Sequence, residues 1–452
     1  MAAVLPDYIQ ASVPNPPAKR APWYKNTAPA YAGIFLWIGF YIGLAGPSLG
    51  QAGVAVCLLG LLVAGLLCFG LYYYAPAMLG MRTGQPLYVV GASTFGTAGG
   101  YLMPGLLMGL LQIGWFAVAT SVATSYILQG LHKDSRILYI VVALIWAYVL
   151  AWVAIKGIAY VAKVAQFLNW LPLLMVLVIF FANWGGVSSF APPKSDPWSG
   201  FLTMLALVIG FFATAGAAGA DFGMNSRNRG DVFWGGLIGI GLAVLVAGGL
   251  PLLSVAGHLG AAGQSTLPGL KPGAPDDPYA YTAAISSVKG LASIMFFLFA
   301  AASVAPTCFC TFIAANSFTT MLPKIPRSVS TTIGVTIGAI LAVTGVATNL
   351  VPFFQIVGAS FGPICGAMAA DYILAGYKWS GPRRGINWAG YIAWAIGFVI
   401  GIPDKIPGAP AALIRIDRPS VLWSFVAGFV VYWVLAKASV WPELVAGTEL
   451  SK

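Results

Sequence analysis

Charge is the first thing this sequence lacks. Of 452 residues, 8% are Asp, Glu, Lys or Arg, and only 12 are acidic. Soluble domains carry about 25%. So few charges cannot cover a surface that meets water, so most of the surface has to face lipid. Histidine is almost missing: His132 and His258 fall in predicted loops, where a solvated side chain is the plain reading. The five cysteines, Cys57, Cys68, Cys308, Cys310 and Cys365, lie inside apolar runs. They read as small buried hydrophobes and not as a disulfide set. The lone C-x-C of Cys308 and Cys310 has no partner pair, so no metal centre is expected. Residues 1–27 are Pro-rich and polar and lack the short apolar core of a secretory signal. They are expected to form a cytoplasmic tail.

Hydrophobic residues make up 59% of the chain, with 55 Gly and 30 Pro among the rest. A transmembrane helix takes about 20 apolar residues, and Gly and Pro are commoner in membrane helices than in soluble ones. Twelve helices are predicted. The first six run near Pro29–Leu49, Val54–Ala75, Met103–Leu131, Ile137–Ile155, Ile158–Trp184 and Gly200–Asp221. The second six run near Val232–Val255, Val288–Leu322, Thr331–Leu350, Pro352–Tyr372, Asn387–Ile402 and Ser420–Leu435. The chain is therefore an all-α polytopic membrane protein.

The net charge of +11 does not point to nucleic acid, because the basic residues are scattered between apolar runs and form no basic face. With both termini inside, fourteen basic residues are cytoplasmic and eight are outside. That bias follows the positive-inside rule and predicts a multi-pass cell-membrane protein with both termini cytoplasmic.

Two helices carry Gly-rich interruptions. The first holds Gly39, Gly43, Gly46 and Pro47 in WIGFYIGLAGPSLG. The sixth holds Gly210, Gly216 and Gly219 in IGFFATAGAAGAD. They lie five helices apart. Broken helices at matching places in two halves point to an inverted-repeat transporter with its site at the breaks. Close packing of helices through small residues is the other reading.

Four runs in order resemble the nucleobase–cation symporter-1 family, most of all its bacterial cytosine permease branch. They are LLQIGWFAVA in the third helix, GFFATAGAAGADFGMNSRN in the sixth, ASFGPICGAMAADYILAGY in the tenth and INWAGYIAWAIGFVIG in the eleventh. The resemblance covers Ala30 to Lys437. It implies a LeuT-type fold of two inverted five-helix repeats, residues 28–184 and 198–376, plus two more helices in 386–437 and a C-terminal tail in 438–452. It also implies a symporter that imports a planar heterocycle such as cytosine, a purine, uracil, allantoin or a hydantoin. No cofactor is expected beyond a coupling ion, H+ or Na+. The partners are the substrate and the bilayer, and no oligomeric state is set.

A flat ring wants an apolar slot with aromatic faces and a few hydrogen-bonding groups. By the resemblance, Trp115 is the stacking platform. Gln112, one turn earlier, offers an amide donor and acceptor to the ring edge. Phe212 is expected to close the other face, with Phe211 and Thr214 nearby and Asn316 a further polar candidate. Backbone at the first-helix break, at Gly43, can supply additional groups. Ordinary core packing and interhelical bonding are the alternatives for Trp115 and Gln112. Asp221 and Asp371 end helices six and ten beside basic loops holding Arg227, Arg229, Lys378, Arg383 and Arg384. They read as gating or structural ion pairs.

The family's sodium binders place two adjacent hydroxyl residues in helix eight against helix-one carbonyls near Gly39, Ile42 and Gly43. The corresponding run here is PTCFCTFIAAN, so the pair is Cys310–Thr311 or Thr311–Phe312. One hydroxyl is missing either way, and a thiol is a poor ligand for a hard cation. Lys163 lies five or six residues inside the fifth helix, about 8–9 Å from its start. It can snorkel to the interface, or its ammonium can stand where sodium would, as in some proton-coupled proteins of this fold. The second option makes Lys163 the internal cation of a proton-coupled or sodium-independent carrier.

A carrier of an amino acid or vitamin precursor on the same fold is the alternative function. A membrane enzyme is disfavoured because Asp221 and Asp371 have no His, Cys or metal-ligand pattern beside them.

Overall fold

The computed structural model describes residues 5–156, 170–193, 195–265, 280–410 and 419–445. Its helices are α1 Thr27–Phe35, α2 Ile38–Leu49, α3 Val54–Thr83, α4 Gly99–Gly130, α5 Arg136–Lys156, α6 Trp170–Asn183, α7 Pro197–Ala217 and α8 Gly219–Gly223. There follow α9 Arg229–Ala261, α10 Ala280–Ser286, α11 Ala292–Met321, α12 Arg327–Val343, α13 Leu350–Leu374, α14 Trp388–Gly401 and α15 Ser420–Lys437. Among the described residues nine helices are long and apolar enough to cross a membrane, and the bent pair α1–α2 makes ten. The shorter apolar α12 and α14 stand where the sequence places its ninth and eleventh helices. The protein is a multi-pass membrane protein. Lys163 and the start of the fifth predicted helix lie outside the described residues.

Local chemistry sets several helix starts. Asp196 caps α7 by accepting the Ser199 N–H at 3.1 Å, with Pro197 at the first helical position, where its missing N–H costs nothing. Asn228 caps α9 in the same way, accepting from Asp231 N at 2.9 Å. Burial then sorts the helices. In α4, α7 and α13, 72% of the most apolar window is buried, against 28% in α5 and 33% in α3. The first three form the centre, and α3 and α5 face lipid.

The two predicted breaks have different outcomes. Helix one is bent by 44° between α1 and α2, at Leu36 and Trp37, just before the glycine run. Trp37 is extended there (φ −68°, ψ 135°). Helix six is continuous through Gly210 and Gly216 and stops only at Ala218. Its glycines serve close packing. A Cβ at Gly210 would meet the Phe354 carbonyl oxygen at 2.6 Å, and one at Gly216 would meet Tyr72 Cβ at 2.7 Å. Small residues let α7 approach α13 and α3 at backbone distance, and the helix is interrupted at Ala218, between Gly216 and Gly219, where the short α8 begins.

Neither end of the described chain hangs free. Tyr8 is buried and donates to the Thr97 carbonyl at 2.8 Å. Asn15 donates to Met224 O and Asn225 Oδ1, and Trp23 N donates to Asp231 Oδ1 at 3.0 Å. At the other end, Arg383 lies over the Trp441 ring at 3.9 Å and donates to Pro442 O at 3.2 Å.

The acidic pair also divides. Asp371 is buried 3.6 Å from Arg383 Nη2 and accepts from Tyr432 Oη at 3.0 Å, so it is an ion pair within a polar network. Asp221 makes no ion pair among the described residues. Its expected partners are engaged elsewhere: Arg227 bonds Asp231 at 2.8 Å, and Arg229 bonds Tyr74 Oη at 2.9 Å. Asp221 accepts from Leu87 N at 3.4 Å, and burial raises its carboxyl to about 6.

Candidate functional site

An aromatic cage sits where the helix-one bend meets the central helices. Trp115, in the middle of α4, is 6% exposed. Its ring contacts Trp37 at 5.5 Å, Phe211 at 5.1 Å, Phe353 at 4.8 Å and Phe354 at 5.6 Å between centroids. The first three contacts are edge-to-face, the arrangement that the ring quadrupoles favour. Its indole N–H donates to Thr214 Oγ1 at 3.2 Å. Trp37 also lies over Phe211, with centroids 6.1 Å apart and planes 28° from parallel. α13 contributes Phe353 and Phe354, and Gly43 admits the latter, since a Cβ there would stand 3.1 Å from its ring.

The cage partner from α7 is Phe211 and not Phe212. Adjacent helical residues point about 100° apart, so only one can face Trp115. Phe212 is fully buried on the other side, stacked on Phe35 at 5.6 Å and 8°, and touching Tyr31 at 5.7 Å. Thr214, three residues beyond Phe211, joins the cage as expected.

Gln112 faces elsewhere. Three residues from Trp115 it is turned by about 60°. It lines a narrow, separate cleft between α4, α11 and α12, together with Cys310, Thr311, Phe318 and Thr331. Its amide donates only weakly to Met108 Sδ, at 3.6 Å. Asn316 is half-buried on α11 and does not line that cleft.

Among the expected cation residues, Lys163 lies outside the described residues. Thr311 and Cys310 line the cleft, which has no lining residue from helix one. The Thr311 hydroxyl donates to Thr307 O at 3.0 Å, within its own helix. Gly39 is covered by the Trp37 indole, and Ile42 is buried in the core. No group of three or more His, Cys, Asp or Glu able to hold a metal occurs among the described residues.

Sequence reasoning missed Trp37, Phe353 and Phe354. Trp37 opens the very glycine run that marks the break, and an aromatic pair directly after Pro352 starts the tenth helix. Both signals were present, but which faces would meet was not.

No protein-family model matches the chain. A curated relative is the cytosine permease of Escherichia coli strain K12, 25% identical over 368 residues, or 76% of this chain and 78% of the relative. Among solved structures, Mhp1 in an inward-facing conformation superposes with a TM-score of 0.73 at 14% identity, covering 98% of this chain and 97% of the other. Mhp1 as a nucleobase-cation-symport-1 family transporter, closed with bromovinylhydantoin bound, gives 0.69 at 16% identity, covering 99% of each chain. The chain shares the fold of this nucleobase-cation-symport-1 family transporter over nearly its whole length. Its fold is the LeuT type implied by the sequence, also seen at 0.61 in a Na+-coupled sialic acid symporter with 11% identity. Within this fold the cage stands at the helix-one bend, and the residues that enclose it come from the bend itself, α4, α7 and α13.

Proposed function

We propose that this chain is a secondary transporter that imports a nucleobase or related planar heterocycle by alternating access. The observation that supports the reading is the cage: Trp115 enclosed by Trp37, Phe211, Phe353 and Phe354 at the bend of helix one. Aromatic walls bind a flat ring through its faces, and a few polar groups set its orientation. Similarity to cytosine permease and to a transporter holding a hydantoin supports the same substrate class. Both termini are cytoplasmic in this reading, as the basic-residue bias requires.

The coupling ion is a proton, or transport is independent of sodium, with Lys163 the internal cation. One of two helix-eight hydroxyls is replaced at Cys310 or Phe312, which leaves Thr311 as the lone hydroxyl of the pair. A buried ammonium has a lowered pKa and can release and regain a proton. The test is uptake of radiolabelled heterocycles into proteoliposomes under separate sodium and pH gradients, for wild type and Lys163→Ala. Accumulation of a heterocycle by the wild type is expected, driven by the pH gradient and lost in Lys163→Ala. An amino acid carried in preference to every heterocycle would refute the substrate class. Strict sodium dependence, or normal proton-driven accumulation by Lys163→Ala, would refute the coupling assignment.

A further inference from the structure

Trp37 carries an unused hydrogen-bond donor. The residue is 7% exposed, and its indole Nε1 is buried with no partner. Other buried indoles of the helix bundle are paired: Trp115 with Thr214 Oγ1 at 3.2 Å, Trp379 with Val90 O at 2.9 Å and Trp394 with Ser360 O at 2.9 Å. Trp146 Nε1 is also unpaired, but it belongs to a separate apolar cluster with Leu150 and Cys308. A buried donor left unsatisfied is costly, so one held inside a candidate site needs an account.

The ring's orientation supplies one. A Cβ at Gly39 would collide with Cε3, Cζ3 and Cη2 of Trp37, so the benzo edge of the indole lies on Gly39. Nε1 is on the opposite edge, turned away from the backbone of α2. The ring is held there by the edge of Trp115 and the face of Phe211. The extended backbone at the bend lets the side chain fold over Gly39, a position that only glycine leaves open.

Resting on the transport reading above, we infer that Trp37 is a specificity residue whose indole N–H donates to a ring carbonyl oxygen of the substrate. The Trp115 N–H is taken by Thr214, which leaves Trp37 as the free indole donor in the cage. A carbonyl oxygen projects beyond the ring edge and offers two lone pairs, so it reaches a donor set back in an aromatic wall. The site therefore selects oxo-heterocycles such as cytosine, uracil or a hydantoin over rings without a carbonyl, such as adenine. A site built to hydrogen-bond a substrate group rejects analogues that lack it.

The experiment uses purified wild type and Trp37→Phe, which keeps a six-membered aromatic ring and removes the pyrrole ring with its donor. Two measurements are made: the melting temperature without substrate, and the affinities for cytosine and for 4-aminopyrimidine, which lacks the C2 carbonyl. Trp37→Phe forfeits some packing but strands no partner, so its melting temperature is expected to fall by no more than about 5 °C. Its affinity for cytosine is expected to fall roughly three- to tenfold, as for one hydrogen bond. Its affinity for 4-aminopyrimidine is expected to equal the wild type's. A larger fall would overturn the inference, because the N–H would then have a structural partner. So would unchanged cytosine affinity, or equal losses for both rings, which would mark lost packing. If wild type binds no heterocycle, the transport reading itself fails and the inference falls with it.

Discussion

The Trp115 indole N–H meets the Thr214 hydroxyl at 3.2 Å, and both residues are nearly fully buried. This bond joins the middle of α4 to α7 and sets the orientation of the cage's main wall. Thr214→Val keeps the shape and removes the acceptor. The stranded N–H costs about 1–3 kcal/mol. A thermal melt of the purified variant should show the loss, with weaker heterocycle binding beside it. An unchanged melt would mean that the ring is held by packing alone.

Trp115→Ala and Phe211→Ala should each weaken heterocycle binding tenfold or more, since stacking contributes roughly 1–3 kcal/mol per base. Phe212→Ala should behave differently. Its ring fills core against Phe35 and Tyr31, so its loss should destabilise the fold by about 3–5 kcal/mol and leave the affinity of folded protein near wild type. Titration calorimetry and melts on all three variants separate the roles. A selective binding defect in Phe212→Ala would restore it to the site.

Gln112→Leu should leave stacking intact, because Gln112 faces the cleft of α4, α11 and α12 and not the cage. Affinity for cytosine is expected to stay within about twofold of wild type, well under the effect of one hydrogen bond. A tenfold loss would show that this amide reads the ring edge after all.

Arg383→Gln leaves Asp371 buried without its charge partner. Breaking such a pair costs roughly 3–5 kcal/mol, so yield and melting temperature should both drop. Adding Asp371→Asn should recover part of the loss, since two neutral groups can share the Tyr432 and Thr94 hydroxyls. No recovery in the double variant would argue that Arg383 acts through Trp441 and Pro442 instead.

Asp221 predicts a pH effect. Its carboxyl is raised by burial from the usual value to about 6, so the folded state holds the proton more tightly than the unfolded chain. The stability it contributes is fully present below the unfolded value near 4 and is lost as pH rises through about 6. Asp221→Asn should remove that slope, a difference of no more than about 3 kcal/mol. Melts of wild type and variant from pH 4 to 7 test it, and parallel curves would refute the assignment.

Much of the architecture was legible because lipid leaves the backbone few options. Long apolar runs must become helices in a bilayer, so α3, α4, α7, α13 and α15 sit close to their predicted ranges. The site was only half legible. Phe211 and Thr214 both contact the Trp115 ring. Phe212 and Gln112 face away, because one or three residues along a helix turns a side chain by about 100° or 60°. Helix rotation is set by packing against neighbours, which a run of apolar letters does not encode.

The sequence by itself determined that this is a polytopic helical membrane protein, and its ordered motifs resemble those of nucleobase–cation symporters. Its glycines marked both helix one and helix six as special. Only the tertiary structure decided that the first is a bend ahead of its glycines and that Gly210 and Gly216 of the second form a packing seam ahead of its interruption at Ala218. Glycine serves either use, and the choice lies with its neighbours. At Gly39 the neighbour is the Trp37 ring, which needs the space above the bend, and at Gly210 it is the backbone of Phe354, which needs contact across a straight helix.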